Sequence, residues 1–196
     1  MTLSLRIRGV IFDLDGTVVE NDYDWARIRE ELGTGAASIL GYLDSLGEPE
    51  RSAKWAILER HEALQTQASV LRDGVQELLG MLASRRIATA LVTNNSRKNT
   101  EFLLSKFGLE FDCVITRERG LWKPSGSPFI EVLRTLGLDP GECGVIGDTH
   151  FDVLAALDAG IDSIFLLTDD PGRFAGYPVE VFPAVEVLLD RLERLL

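Results

Sequence analysis

Five short apolar runs, spaced by stretches with helical periodicity, constrain this chain more than any other feature. The runs are Gly9–Phe12, Ile87–Val92, Cys113–Ile115, Gly144–Ile146 and Ser163–Leu167. They are rich in Val, Ile and Leu, as strands covered on both faces must be. Between them, Val75, Leu78, Leu79 and Leu82 form one helical stripe. Pro128 opens another helix that Gly137 closes, with Phe129, Leu133 and Leu136 inward. Val153, Ala156 and Leu157 mark a third, ending at Gly160. Ala184–Leu196 reads as a final helix after an edge strand near Val179–Phe182. Strand and helix in alternation predict an α/β fold with a doubly wound parallel sheet.

One segment breaks the alternation. From Val18 to Leu71 there are helical signals and no strand. Asp24 caps a helix carrying Trp25, Ile28 and Leu32, stopped by Gly33. A second covers Ala36–Leu46, with Ile39, Leu43 and Leu46 inward, and Gly47 stops it. A third follows Pro49 with Ala53, Ile57 and Leu64. The expected organisation is a core of residues 1–17 and 72–196 with a small all-helical insertion, residues 18–71. The connections fall near Thr17–Asn21 and Val70–Gly74.

A chain of 196 residues suits one core with such an insertion. Its formal net charge of −11 argues against nucleic acid and anionic membrane as partners. Cys113 and Cys143 form no metal or redox spacing and read as two buried thiols. No apolar run approaches the roughly 18 residues of a membrane span, and no signal-peptide pattern precedes the first strand. A cytoplasmic monomer or homodimer is expected.

Polar clusters stand at the ends of the strand-like runs. Asp13 and Asp15, two residues apart after Phe12, project to the same side. Two carboxylates there are costly without a cation or a shared proton. Gly16 permits a sharp turn and Thr17 adds a hydroxyl. Thr93-Asn94-Asn95-Ser96 suits a phosphate oxygen or, equally, a helix N-cap. Lys123, fixed by Pro124, is a candidate cation, although most lysines only solvate a surface. Asp148 and Asp152 lie one helical turn apart and can face one point. A helix N-terminus favours acidic residues and explains Asp152, but not a second acid at the strand end.

Together, Asp13-Leu14-Asp15-Gly16-Thr17, Thr93, Lys123 and Gly147-Asp148 through Asp152 resemble the haloacid dehalogenase superfamily of phosphohydrolases. Val145–Asp148, Asp152–Ala156 and Asp73–Leu79 look like its phosphoglycolate phosphatase branch. The resemblance implies a Rossmann-like core with a helical cap after the first motif. It implies Asp13 as nucleophile and Asp15 as general acid and base. Thr93 and Lys123 would hold the phosphoryl group, with Asn94 beside them. Asp148, Asp13 and the Asp15 carbonyl would bind Mg²⁺, and Asp152 would support that metal or Lys123. The reaction implied is Mg²⁺-dependent hydrolysis of a small phosphorylated metabolite through an aspartyl-phosphate.

A phosphomutase of the same superfamily is the nearest alternative. A dehalogenase has no comparable need for Asp15. A phospho-receiver domain places its aspartate on a middle strand and lacks the insertion. Substrate choice is expected in the insertion, with Asp24, Trp25, Arg27, Lys54 and His61 as candidates, although Trp25 reads more readily as core. Trp122 either narrows the site or packs, and His150 reads as a surface residue at a helix start.

Overall fold

The structure, a computed structural model, describes residues 7–36 and 38–196. The readings that fall on residues 1–6 and on Ala37 lie outside it. The core strands are β1 (Gly9–Phe12), β4 (Ala88–Val92), β5 (Cys113–Ile115), β6 (Cys143–Gly147), β7 (Ser163–Leu167) and β8 (Glu180–Phe182). They form one sheet in the order β5-β4-β1-β6-β7-β8, every pairing parallel. The core helices are α4 (Val75–Ser84), α5 (Arg97–Phe107), α6 (Ser127–Leu136), α7 (His150–Asp158) and α8 (Val185–Leu195).

Strand side chains alternate between two apolar layers. Val10 and Phe12 pack with Leu78 and Leu82 of α4, Leu103 of α5 and Leu188 of α8. Ile11 packs on the opposite face with Phe129 and Val132 of α6 and Val153 and Ala156 of α7. Burial on both faces explains the nearly unbroken apolar strands. Chain order runs outward from β1 through β4 to β5, then returns to β6 on the other side of β1. The carboxyl ends of β1, β4 and β6 therefore flank a point where connections diverge in opposite directions, the usual place for a ligand crevice.

The segment between β1 and α4 holds α1 (Trp25–Leu32), α2 (Ile39–Ser45) and α3 (Glu50–Ala68) around their own small core. Ile28, Leu32, Ile39, Leu40, Leu43 and Leu58 form that core, and Trp122 of the main domain packs against it. The segment is not strandless, as the sequence suggested. Its two connections pair as an antiparallel ribbon, β2 (Val19–Glu20) with β3 (Val70–Leu71). The outgoing and returning chains lie side by side, so their backbones bond, but two residues each leave no periodicity to read.

The third helix also departs from expectation. Ala53 and Leu64 are exposed, while Leu58, Glu62 and Thr66 are buried, four residues apart on one face. That face turns toward the core, where Glu62 meets Arg117. Cys143 is buried, but Cys113 is only half-buried, because β5 is an edge strand. Among the described residues, no helix is long and apolar enough to cross a membrane.

Candidate active site

The residues that follow β1, β4 and β6 are Asp13, Thr93 and Asp148. With Asp15, Asn94, Lys123 and Thr149 they line the floor of a cleft of about 440 Å³. Its upper wall comes from the helical segment, with Tyr23, Trp25, Arg29, Leu40, Leu58 and Glu62.

Lys123 is the electrostatic centre and is 3% exposed. Its Nζ lies 2.6 Å from Asp13 Oδ1 and 2.6 Å from Asp152 Oδ1. Burial opposes its charge, but Asp13 and Asp152 together outweigh that and hold its pKa above the usual lysine value. An ammonium has three donors, so one remains for a ligand. Asn94 brackets the lysine backbone, its amide donating to the Lys123 carbonyl and accepting the Lys123 N–H, both at 2.9 Å. The expected place for Asn94 was beside the phosphoryl group. Asn94 lines the cleft with Thr93 and Lys123, and the bonds its amide makes are to the Lys123 backbone.

Asp152 is fully buried and spans two duties. Oδ1 takes Lys123, while Oδ2 accepts the Thr149 hydroxyl at 2.7 Å and the Thr149 N–H at 3.0 Å. The same acid thus caps α7 and holds Lys123. Gly147 makes the arrangement possible, since a Cβ there would lie 2.5 Å from the Asp152 side chain. Gly16, at φ +85°, admits Asp148 in the same way: an added Cβ would sit 2.2 Å from its Oδ2.

Thr17 is buried and its hydroxyl donates to Asp148 Oδ1 at 3.3 Å. The Thr93 hydroxyl accepts the Asn95 N–H at 3.0 Å, which leaves its own hydrogen to donate elsewhere. Asp13 Oδ1 also accepts the Leu14 N–H at 2.7 Å.

Asp15 is held by two residues not singled out from sequence. Asn21 donates to Oδ1 at 2.6 Å and Asn95 to Oδ2 at 3.0 Å. Burial raises the pKa of Asp15, against the pull of these amides. Asn95 stood in the Thr-Asn-Asn-Ser cluster, so its polar loop was a visible signal. Asn21 had none beyond its place in a connection.

Asp13, Asp148 and Asp152 offer oxygens that lie within 4.8 Å of one another. Lys123 balances them with a single positive charge. Burial, reinforced by Asp152, pushes Asp148 up to about 7, and burial raises Asp13 well above its ordinary value. Buried, clustered oxygen acceptors short of positive charge fit a hard divalent cation.

Of the specificity candidates, Trp25 alone lines this cleft. It is 47% exposed and stacks on Tyr23 at 4.7 Å, so it is a rim residue and not core. Asp24 caps α1, Arg27 pairs with Glu31 and His61 lies 3.1 Å from Glu31. Lys54 is also outside the cleft lining. His150 packs against Phe174 and Tyr177, with Nε2 2.9 Å from the Arg173 carbonyl.

Fold and cleft agree with what comparison with known proteins finds. Residues 7–160 match the model of the haloacid dehalogenase-like hydrolases, and the chain belongs to that family. A haloacid dehalogenase-like hydrolase domain-containing protein of Arabidopsis thaliana is 27% identical over 86% of this chain and 74% of its own. The phosphoglycolate phosphatase of Chromobacterium violaceum is 28% identical over 81% of this chain and 84% of its own. The solved structure of CbbY from Rhodobacter sphaeroides in complex with phosphate superposes with a TM-score of 0.71. It is 24% identical and covers 93% of this chain and 96% of that one.

Proposed function

We propose that the chain is a Mg²⁺-dependent phosphatase that hydrolyses a small phosphorylated metabolite through an aspartyl-phosphate. The observation that carries this reading is Lys123 bridging Asp13 and Asp152, with Asp15 two residues past Asp13 on the same cleft floor. Family membership and the phosphatases among its relatives support it. Residues 18–71 act as the cap over a core of residues 1–17 and 72–196.

In the first step an Asp13 oxygen attacks phosphorus. The bond from phosphorus to the ester oxygen breaks, and that oxygen takes a proton from Asp15. In the second step Asp15 removes a proton from water, whose oxygen attacks phosphorus. The acyl phosphate opens, inorganic phosphate leaves, and Asp13 returns to its starting state. Burial, which raises the Asp15 pKa, favours the protonated form needed first. The amides of Asn21 and Asn95 stabilise the charged form between the steps. The third donor of Lys123 and the hydroxyl of Thr93 meet the phosphoryl oxygens as charge builds on them. Asp13, Asp148 and the Asp15 carbonyl would hold Mg²⁺, which supplies neutralisation of the carboxylates and the phosphate together. Asp152, with both oxygens engaged, serves Lys123.

The test is turnover of p-nitrophenyl phosphate with Mg²⁺ by the wild type and by Asp13→Asn. A loss of at least about a thousandfold in kcat, with the fold intact by circular dichroism, is expected. Turnover that survives the substitution removes Asp13 as nucleophile.

A further inference from the structure

Among the described residues, Glu62 is the one buried acid in the cleft wall that the hydrolytic cycle leaves unused. It comes from α3, is 5% exposed, and borders the same cavity as Asp15. Its Oε1 takes the Arg117 guanidinium at 2.5 Å. Its Oε2 is buried and meets no hydrogen-bond partner among the described residues. Such an acceptor is costly to leave unsatisfied, and the residue that carries it lines the cavity that Asp15 also lines.

Its position is fixed from the core side. Arg117 lies over the Trp55 ring at 4.8 Å, and its N–H donates to the Asn95 carbonyl at 3.3 Å. Asn95 in turn holds Asp15 and lies 3.5 Å from the Tyr23 hydroxyl. Burial, then the charges of Asp15 and Glu62, raise the Tyr23 pKa, so these groups share one corner of the cleft. That corner is the side of Asp15 and therefore of the departing oxygen. Leu40 and Leu58 line the wall beside it and suit a carbon chain.

We infer that Glu62 is a specificity residue whose Oε2 accepts a hydrogen bond from a hydroxyl on the leaving group, selecting polyol or sugar phosphates. This inference rests on the phosphatase reading above. The Arg117 guanidinium already sits against the Glu62 carboxyl, so an ammonium ligand would be desolvated beside a second cation, whereas a hydroxyl satisfies the oxygen without adding charge. A carboxylate on the leaving group would face Glu62 and Asp22 together. Arg29, the other cation of the wall, is engaged with the Ala36 carbonyl.

The experiment compares kcat/KM for glycerol monophosphate, propyl phosphate, phosphoethanolamine and phosphoglycolate in the wild type and Glu62→Gln. The expected result is a glycerol-to-propyl preference of about tenfold or more in the wild type, which Glu62→Gln reduces by about tenfold. A purely structural ion pair would lower all four substrates together, and that result overturns the inference. So does a wild type that prefers phosphoethanolamine or phosphoglycolate. Glu62→Asp with a thermal melt covers the case in which Glu62→Gln loosens the cap: a folded Glu62→Asp that keeps the full preference also overturns it. Propyl phosphate separates the two readings. If Asp13-dependent hydrolysis of it fails, the phosphatase reading falls. If it proceeds without hydroxyl preference, only the role of Glu62 falls.

Discussion

The floor and the wall of the cleft are built on different terms. On the floor, Lys123, Asp152 and Asp15 each have two or more directed partners, in the loops and the helix start that follow the strands of one parallel sheet. The wall belongs to a segment with its own apolar core, which contributes mostly carbon surface and one acid with an idle oxygen. Few bonds fasten it down. Glu62 pairs with Arg117, Lys106 reaches the Ser69 carbonyl at 2.7 Å, and Asn21 reaches Asp15 at 2.6 Å. Chemistry that demands fixed geometry sits where the sheet dictates position. On the proposed phosphatase reading, selection falls to the wall, where a handful of side chains can be changed without disturbing the floor.

Removing the centre of the floor is the strongest way to break this contrast. Lys123→Met leaves Asp13 and Asp152 buried without their cation. We expect turnover to be lost and unfolding free energy to fall by about 3–5 kcal/mol, read by urea denaturation. A variant that stays fully stable would mean the floor is no more rigid than the wall.

The wall has its own signature in pH. Burial, opposed by Arg117, pushes Glu62 from its ordinary 4.5 up to about 7. Between those values the folded protein keeps a proton that the unfolded chain has lost, so stability falls as pH rises. The contribution is complete below 4.5 and gone above about 7, roughly 3 kcal/mol in all. Asp148, raised to about 7 as well, adds a fall of the same sign. Glu62→Gln should therefore show a fall smaller than the wild type's by this share, and unfolding curves across the window check it.

Metal should act on the floor alone. Adding Mg²⁺ at about a hundred times its Kd should stabilise the wild type by about 2.7 kcal/mol. Asp148→Asn should abolish that shift in the thermal melt, while Glu62→Gln should keep it. The smallest effect is expected at Asn95→Ala, which removes one of two amides on Asp15. We expect kcat for p-nitrophenyl phosphate to drop about tenfold, with the Mg²⁺ shift retained.

Much of the floor was legible because strand ends are marked by where apolar runs stop. Asp13, Thr93 and Asp148 follow such runs directly, and a parallel sheet brings distant strand ends together. Lys123 follows no strand, and its reading rested on the resemblance. Asn94 was placed beside Lys123, but not its two bonds to the Lys123 backbone, because spacing does not say which way an amide points. Glu62 was illegible: a lone acid on a helix reads as solvated until its partner is known. Trp25 failed for the opposite reason, since an aromatic at a helical position looks like core whether or not a cleft opens beside it.

By itself, then, the sequence determined the alternation of strands and helices, the helical insertion and the cluster of acids with one lysine. Local periodicity and glycine placement encode these within a few residues. Only the tertiary structure decided which oxygens Lys123 bridges, that Asn21 and Asn95 hold Asp15, and that Glu62 turns inward to Arg117. Those contacts join residues up to 110 positions apart, Lys123 to Asp13 the furthest of them. Hydrogen-bond direction and burial at such separations exist only after the chain has packed.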